Sequence, residues 1–497
     1  MPSKKVVIIG SGFSGLSAAC FMAKAGWDVS VVEKNATPGG RARKLVAEGF
    51  TFDMGPSWYW MPDVFERFFN QFGYHVSDFY KLQRLNPSYR VYWSSGPVDV
   101  PADYTQLKGL FESMEPGSAL QLDLFLKEAA YKYKTGMQKL VFKPGLSLAE
   151  FVDWEVIKGA VRLDLLSSMK KHVAKYFKDE RLRELMEFPV LFLGALPEKT
   201  PALYSLMNYA DIVGGTWFPQ GGMYSVVDGI YKLAASLGVK FFFNSAVEQL
   251  VAEGDRIKKV VTTQGNFEAD VVIGSADYHH IETRLIQPQH RSYSDRYWAS
   301  RVMAPGCLLY YVGLNKKLDN IKHHMLFFDA PFKEHAEEIY TSKQWPDEPL
   351  FYVSATTASD ESLAPAGCEN LFFLVPVAPG LQNDDEKLRE HYFKKIVLRM
   401  EGHIGQDITG SIIYKKTYAH TDFVNDYHSF KGNAYGLANT LQQTAVLKPS
   451  IKSRKLKNLY YTGQLTVPGP GVPPSLISGE VVAKQVVKEW QTVAADI

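Results

Sequence analysis

A chain of 497 residues, 46% of them hydrophobic, buries more core than one domain usually holds, because domains typically run to about 100–200 residues; two or three domains are expected. Its 55 basic side chains nearly match its 53 acidic ones, so no global field recruits nucleic acid. Three scattered cysteines, Cys20, Cys307 and Cys368, form neither a disulfide framework nor a zinc site and point to a reducing, cytosolic setting.

Lys4 to Ile9 reads as a parallel strand covered on both faces, followed by the turn Gly10-Ser11-Gly12-Phe13-Ser14-Gly15 and a helix through Ala25. Gly26 stops that helix, and Asp28 to Val32 forms a second strand ending at Glu33 and Lys34. The unit is βαβ, which sets an α/β fold class. Gly10 permits the tight turn, Gly12 lets the backbone approach a pyrophosphate, and Gly15 lets the helix pack closely on the strand. The helix N-terminus then faces the phosphates. Glu33 stands where a carboxylate accepts hydrogen bonds from both hydroxyls of an adenosine ribose, and it disfavours a 2′-phosphate.

A glycine fingerprint alone is weak, but strand, helix and terminal acid agree here. The choice of FAD over NAD comes from Gly39-Gly40-Arg41-Ala42-Arg43 and Asp53-Met54-Gly55-Pro56-Ser57. Adjacent glycines let the main chain pass close under a second phosphate or the flavin, and an arginine binds phosphate or stacks near the ring system. At the far end, Leu459 to Tyr461 reads as a short strand leading to Thr462-Gly463-Gln464. A proline-rich loop including Val472, Pro473 and Pro474 follows, then a helix from about Leu476 to Glu489. The positive end of that helix suits the electron-rich pyrimidine edge of a reduced flavin.

With Trp217-Phe218-Pro219-Gln220-Gly221-Gly222-Met223 added to these segments, the chain resembles, over nearly its whole length, the carotenoid desaturases of the bacterial and fungal phytoene-desaturase type within the larger amine-oxidase-like group of FAD proteins. The resemblance implies a Rossmann-like, discontinuous FAD-binding domain (1–80, 215–290 and 430–497), an inserted β-sheet substrate domain (81–130 and 291–429) and a helical lobe (131–214). It also places Val247 on the adenine side of FAD and Ser275-Ala276-Asp277 where Asn-Ala-Asp usually stands. The implied cofactor residues are therefore Gly10 to Gly15, Glu33, Lys34, Gly40 to Ala42, Gly55 to Ser57, Val247, Gly463, Gln464, Val472 and Pro473. The runs Cys307 to Val312, Leu350 to Val353 and Asn370 to Val377 read as strands of the substrate sheet.

The implied reaction is FAD-dependent removal of hydrogen from a long apolar isoprenoid. Loss of hydride to the flavin leaves a delocalised cation, and loss of the neighbouring proton completes the double bond in an apolar tunnel. No single base is identified: Asp277, His279 and Glu480 are candidates, each with ribose contact or helix capping as the plainer reading. Adjacent histidines on a strand, as His279-His280 and His323-His324 are read, point to opposite faces, and no metal site is expected. Trp58, Tyr59 and Trp60 are candidates for the tunnel mouth or for ordinary core.

Without a second dinucleotide fingerprint the flavin is expected to act as oxidant and pass electrons to oxygen or a membrane quinone. No run of about 18 uncharged apolar residues exists, so a spanning helix is not expected. Arg162 to Lys178 reads as a basic amphipathic helix beside the apolar run Phe188 to Leu196, either a soluble helix over a core segment or a contact with the inner face of the cell membrane. Two alternatives remain open at this level: a flavin-dependent cis-trans isomerase, and a non-enzymatic prenyl-lipid binder of the same fold.

Overall fold

A computed structural model describes residues 3–151, 167–191, 194 and 196–495. Strand β1 (Lys5–Ile9) is wholly buried after its first residue, as its unbroken apolar sequence requires. It pairs in parallel with β2 (Asp28–Val32) on one side and Val271–Gly274 on the other. Leu459–Tyr461 and Lys240–Phe242 complete a five-stranded parallel sheet, so strands far apart in sequence meet at β1. The helix α1 (Phe13–Lys24) lies between the C-terminal helix Val472–Ala495 and the helix Tyr224–Ser236. Ser17 Oγ donates to the Leu476 carbonyl at 2.7 Å.

The second layer is a seven-stranded sheet in the order Ile412–Tyr418, Gly306–Leu314, Glu369–Val377, Phe351–Ser354, His324–Phe327, Tyr89–Trp93 and Gly96–Val100. Its neighbours are antiparallel except His324–Phe327 on Tyr89–Trp93. Side chains alternate across it with period two. Leu308, Tyr310 and Val312 join a core under the helix Glu386–Ile404, whereas Cys307, Leu309 and Tyr311 join the core shared with the parallel sheet. Both faces are covered, so Gly306–Leu314 is buried throughout.

Several sequence expectations change. The C-terminal helix begins at Val472, not near Leu476, and continues to Ala495. Pro473 and Pro474 sit in its first turn, where a missing N–H costs nothing. His279-His280 occupy a helical turn, not a strand, because the Asp277 carboxylate caps that turn through the His280 amide at 3.1 Å.

Of the expected basic helix, residues 162–166 lie outside the described residues, and the remainder is helical only over Met169–Val173. The Met169 amide bonds the Thr200 carbonyl at 2.8 Å, and Met169, Val173 and Phe177 are buried, so this segment packs inward. Phe188 and Val190 of the apolar run are core; 192, 193 and 195 lie outside the described residues. The helix Ser118–Thr135 runs through residue 130, so an architectural boundary there would cut a helix. Among the described residues no helix is long and apolar enough to cross a membrane, and no group of three or more His, Cys, Asp or Glu side chains is placed to hold a metal.

Candidate active site

One cavity of about 470 Å³ runs between the two sheets. Every expected cofactor residue lines it except Gly15. Gly15 lies behind the wall, where a Cβ would stand 2.1 Å from the Gly10 carbonyl oxygen and 2.9 Å from Ser275 Oγ. Gly10 takes a left-handed φ of +98°, a turn that disfavours a side chain. Over Gly12 the opposite holds: an added Cβ would meet nothing within 4 Å. The first turn of α1 thus presents its free amides to open space, the geometry of an anion site.

Glu33, buried at the end of β2, accepts from the Ser11 amide and hydroxyl at 2.9 and 2.7 Å through one oxygen. Its other oxygen accepts from the Asn35 amide and side chain at 2.8 and 2.9 Å. The carboxylate is therefore fixed in position with its four acceptor sites taken by the protein itself, so a ribose hydroxyl that bonds to it, as the sequence leads one to expect, would displace the Ser11 hydroxyl or the Asn35 side chain.

On the opposite wall the Arg41 guanidinium is buried, donates to Ser429 Oγ at 2.9 Å and lies over the Tyr427 ring. Its Nε has no protein partner. Burial pulls its pKa below the usual arginine range, against the attraction of Asp277. A buried cation with an orphaned donor beside a helix N-terminus fits a dinucleotide that carries phosphate. The residues present therefore suit FAD, which the first turn of α1, Glu33, Arg41, the Gly55–Ser57 loop and the start of the C-terminal helix would hold.

The other limb is apolar. Trp58, Trp60, Phe188, Leu326, Phe328 and Phe332 line it. Tyr59 does not; it is core, with its hydroxyl 3.0 Å from that of Tyr80. His335, which also lines this limb, is held neutral by burial, its pKa pushed down to about 4.

The base candidates resolve differently from one another. Glu480 is away from the cavity: burial alone would raise its pKa, but Arg67, at 2.8 Å through both oxygens, and Lys484 hold it below the usual carboxylate range. His279 stacks on Phe430 and does not line the cavity. Asp277 lines it, yet both oxygens are engaged, by the His280 and Phe430 amides. Burial raises its pKa.

Sequence reasoning missed the loop Asp426–His428, which closes the phosphate end with His428 stacked on His280 at 3.9 Å; no local signal marks it. It also missed Tyr352, Leu374 and Pro376. Period-two alternation along their strands was the available signal for the last two.

Comparison with known proteins agrees with this geometry. Residues 13–487 match the family described as flavin containing amine oxidoreductase. A carotenoid 3,4-desaturase of Haloarcula japonica is 40% identical over 98% of this chain and 99% of its own. A zeta-carotene-forming phytoene desaturase of Myxococcus xanthus is 31% identical over 97% of this chain and 94% of its own. Among solved structures, an oxidoreductase from Methanosarcina mazei has a TM-score of 0.62 at 15% identity, over 97% of this chain and 100% of that one, a likeness of fold.

Proposed function

The chain belongs to the flavin-containing amine oxidoreductase family, and from that membership we propose that it desaturates a carotenoid with FAD as the oxidant. The observation that carries the reading is the shape of this cavity: an anion-binding, glycine-lined end joined to a limb walled by aromatic and aliphatic side chains. The identity to carotenoid desaturases over nearly the full length supports the same substrate class. Bound FAD supplies a hydride acceptor. The protein's own part is to align an extended hydrocarbon along Trp58, Trp60 and Phe328, to exclude water that would trap a cationic intermediate, and to receive a proton.

The expected result is direct. Mixed anaerobically with liposomes carrying a saturated-end or partly saturated carotene, the purified yellow protein loses its flavin absorbance in near-stoichiometric proportion, and the product is lighter by two hydrogens per bond formed. An unchanged flavin with an unchanged product mass would sink the reading, and isomerised product of unchanged mass would favour the isomerase. Oxygen or a membrane quinone is the proposed terminal acceptor.

Such a substrate resides in a bilayer, and we propose membrane contact at the inner face of the cell membrane through the outer side of the helix Ser118–Thr135. Leu120, Leu124 and Tyr131 are exposed there at helical spacing, and Lys127 and Lys134 beside them outnumber the one exposed acid, Glu128, a pattern that suits an anionic lipid surface. Flotation with anionic vesicles tests it: Leu120→Glu with Leu124→Glu is expected to cut the bound fraction at least tenfold, and undiminished flotation refutes the assignment.

A further inference from the structure

Desaturation needs an acceptor for the proton that leaves beside the hydride, and Asp277 and Glu480 are otherwise engaged. At the junction of the flavin loop and the apolar limb lies a different group. The Tyr352 hydroxyl is 2.6 Å from His324 Nδ1 and adjoins the hydroxyl of Ser57. Tyr352, Ser57 and Trp58 all line the cavity. Behind them the His324 ring is fully buried and stacks face to face on Trp58, with centroids 4.1 Å apart and planes 5° from parallel. His324 Nε2 has no hydrogen-bond partner.

Two other titratable groups that line this limb, His335 and Cys307, are committed. The His335 Nδ1 accepts from the Leu350 amide at 2.9 Å while its Nε2 faces the Pro376 carbonyl at 3.2 Å, and Cys307 is hydrogen-bonded to Tyr435.

We propose that Tyr352 takes the proton lost from the substrate and passes its own hydroxyl proton to His324, a two-residue relay set into the cavity wall; the inference rests on the carotenoid reading above. The step balances. One C–H bond breaks with both electrons, the hydride going to bound FAD, the oxidant. The neighbouring C–H bond of the resulting allylic cation then breaks. Its electron pair becomes the new π bond, its proton bonds to Tyr352 Oη, and the original Tyr352 O–H proton moves to His324 Nδ1. The positive charge comes to rest on an imidazolium lying on the Trp58 indole face, where the ring quadrupole offsets its desolvation. Reversal of the relay, once product leaves and water enters, returns the proton to solvent. Burial keeps the resting imidazole neutral and opposes the imidazolium, so the transfer is driven by the strong acidity of the allylic cation and the charge is held only until the relay reverses. Tyr352 is the catalytic residue, and His324 positions and completes it.

Binding separates this role from packing. The holoenzyme in detergent micelles is titrated with two probes: a polyene hydrocarbon, and the same polyene with one chain carbon replaced by a protonated tertiary amine, which presents N–H⁺ as the cation presents its acidic C–H. The wild type is expected to bind the amine at least tenfold more tightly than the hydrocarbon. Tyr352→Phe, and His324→Phe, which retains the stack on Trp58, are expected to lose that preference with hydrocarbon affinity held within twofold. An undiminished preference in Tyr352→Phe overturns the relay and leaves the carotenoid reading standing. Equal loss of both affinities reduces Tyr352 to packing and likewise overturns it. Failure of the wild type to bind either probe overturns the carotenoid reading and the relay with it.

Discussion

Gly15→Val is expected to yield a colourless protein with FAD affinity reduced at least a hundredfold and stability reduced by about 3 kcal/mol or more. The reason is local. The first valine carbon would stand 2.1 Å from the Gly10 carbonyl oxygen and 3.1 Å from Ser275 Cβ, and the nearest obstacle is backbone, which has no rotamer with which to yield. To relieve the clash, α1 must move away from β1 and from the Val271–Gly274 strand, carrying its N-terminal amides out of line.

Gly12→Ala supplies the contrast. Its methyl meets nothing of the protein within 4 Å, so folding is expected to be unaffected in the FAD-free protein, while FAD binds more weakly because the methyl enters the space over the turn. Chemical denaturation of both FAD-free variants, with FAD titration by fluorescence, separates the two costs. Yellow Gly15→Val protein with wild-type stability would refute the close-packing argument.

The second large effect concerns Lys448, a residue outside the cavity. Its amine is buried and donates to Asn439 Oδ1 at 2.7 Å. Both groups sit under Gly469, where an added Cβ would lie 2.9 Å from Asn439 Oδ1 and 3.1 Å from the amine, so they support the loop that leads into the C-terminal helix. Burial without a carboxylate pushes the lysine pKa down from 10.5 to about 7. The sign follows from linkage: between pH 7 and 10.5 the unfolded chain holds a proton that the folded chain has released, so stability rises with pH across that window. The slope approaches roughly 1.4 kcal/mol per unit. Below pH 7 both states are protonated and the full penalty for a buried charge persists.

Lys448→Met removes this group. Relative to the wild type, its unfolding free energy is expected to lack the rise between pH 7 and 10. At pH 7 it is expected to lie higher by about 1–3 kcal/mol, after the cost of leaving Asn439 Oδ1 without its donor. Urea unfolding of both proteins at pH 7, 8.5 and 10 measures the difference, and parallel pH dependences would refute it.

Glycine positions were the most legible part of the chain. Gly10 makes the tight turn and Gly15 the close helix packing that their spacing implies, and Gly12 leaves the space over the turn open, because a fingerprint of this kind is a local contract between one strand, one turn and one helix. The strands at Gly306–Leu314, Phe351–Ser354 and Glu369–Val377 were legible for a similar reason, since a run of apolar β-formers bounded by turns has few alternatives. Less legible was the segment 167–191. Its basic and apolar residues share helical spacing, and only the Thr200 carbonyl and the surrounding core decide that Met169, Val173 and Phe177 face inward. His279-His280 failed as a strand because the cap from Asp277 outweighed a pattern too short to specify itself.

By itself, then, the sequence determined the dinucleotide turn, the acid at Glu33, the second glycine loop with Arg41, and the α/β class, all features encoded within a few tens of residues. The tertiary structure alone decided what those parts face. Arg41 meets Ser429, Glu480 is claimed by Arg67, and Tyr352 reaches His324, whose ring lies on Trp58. The last two partnerships remove one proton acceptor and supply another. Contacts between residues hundreds of positions apart depend on how two sheets pack, and side-chain packing at that distance leaves no period or spacing to read.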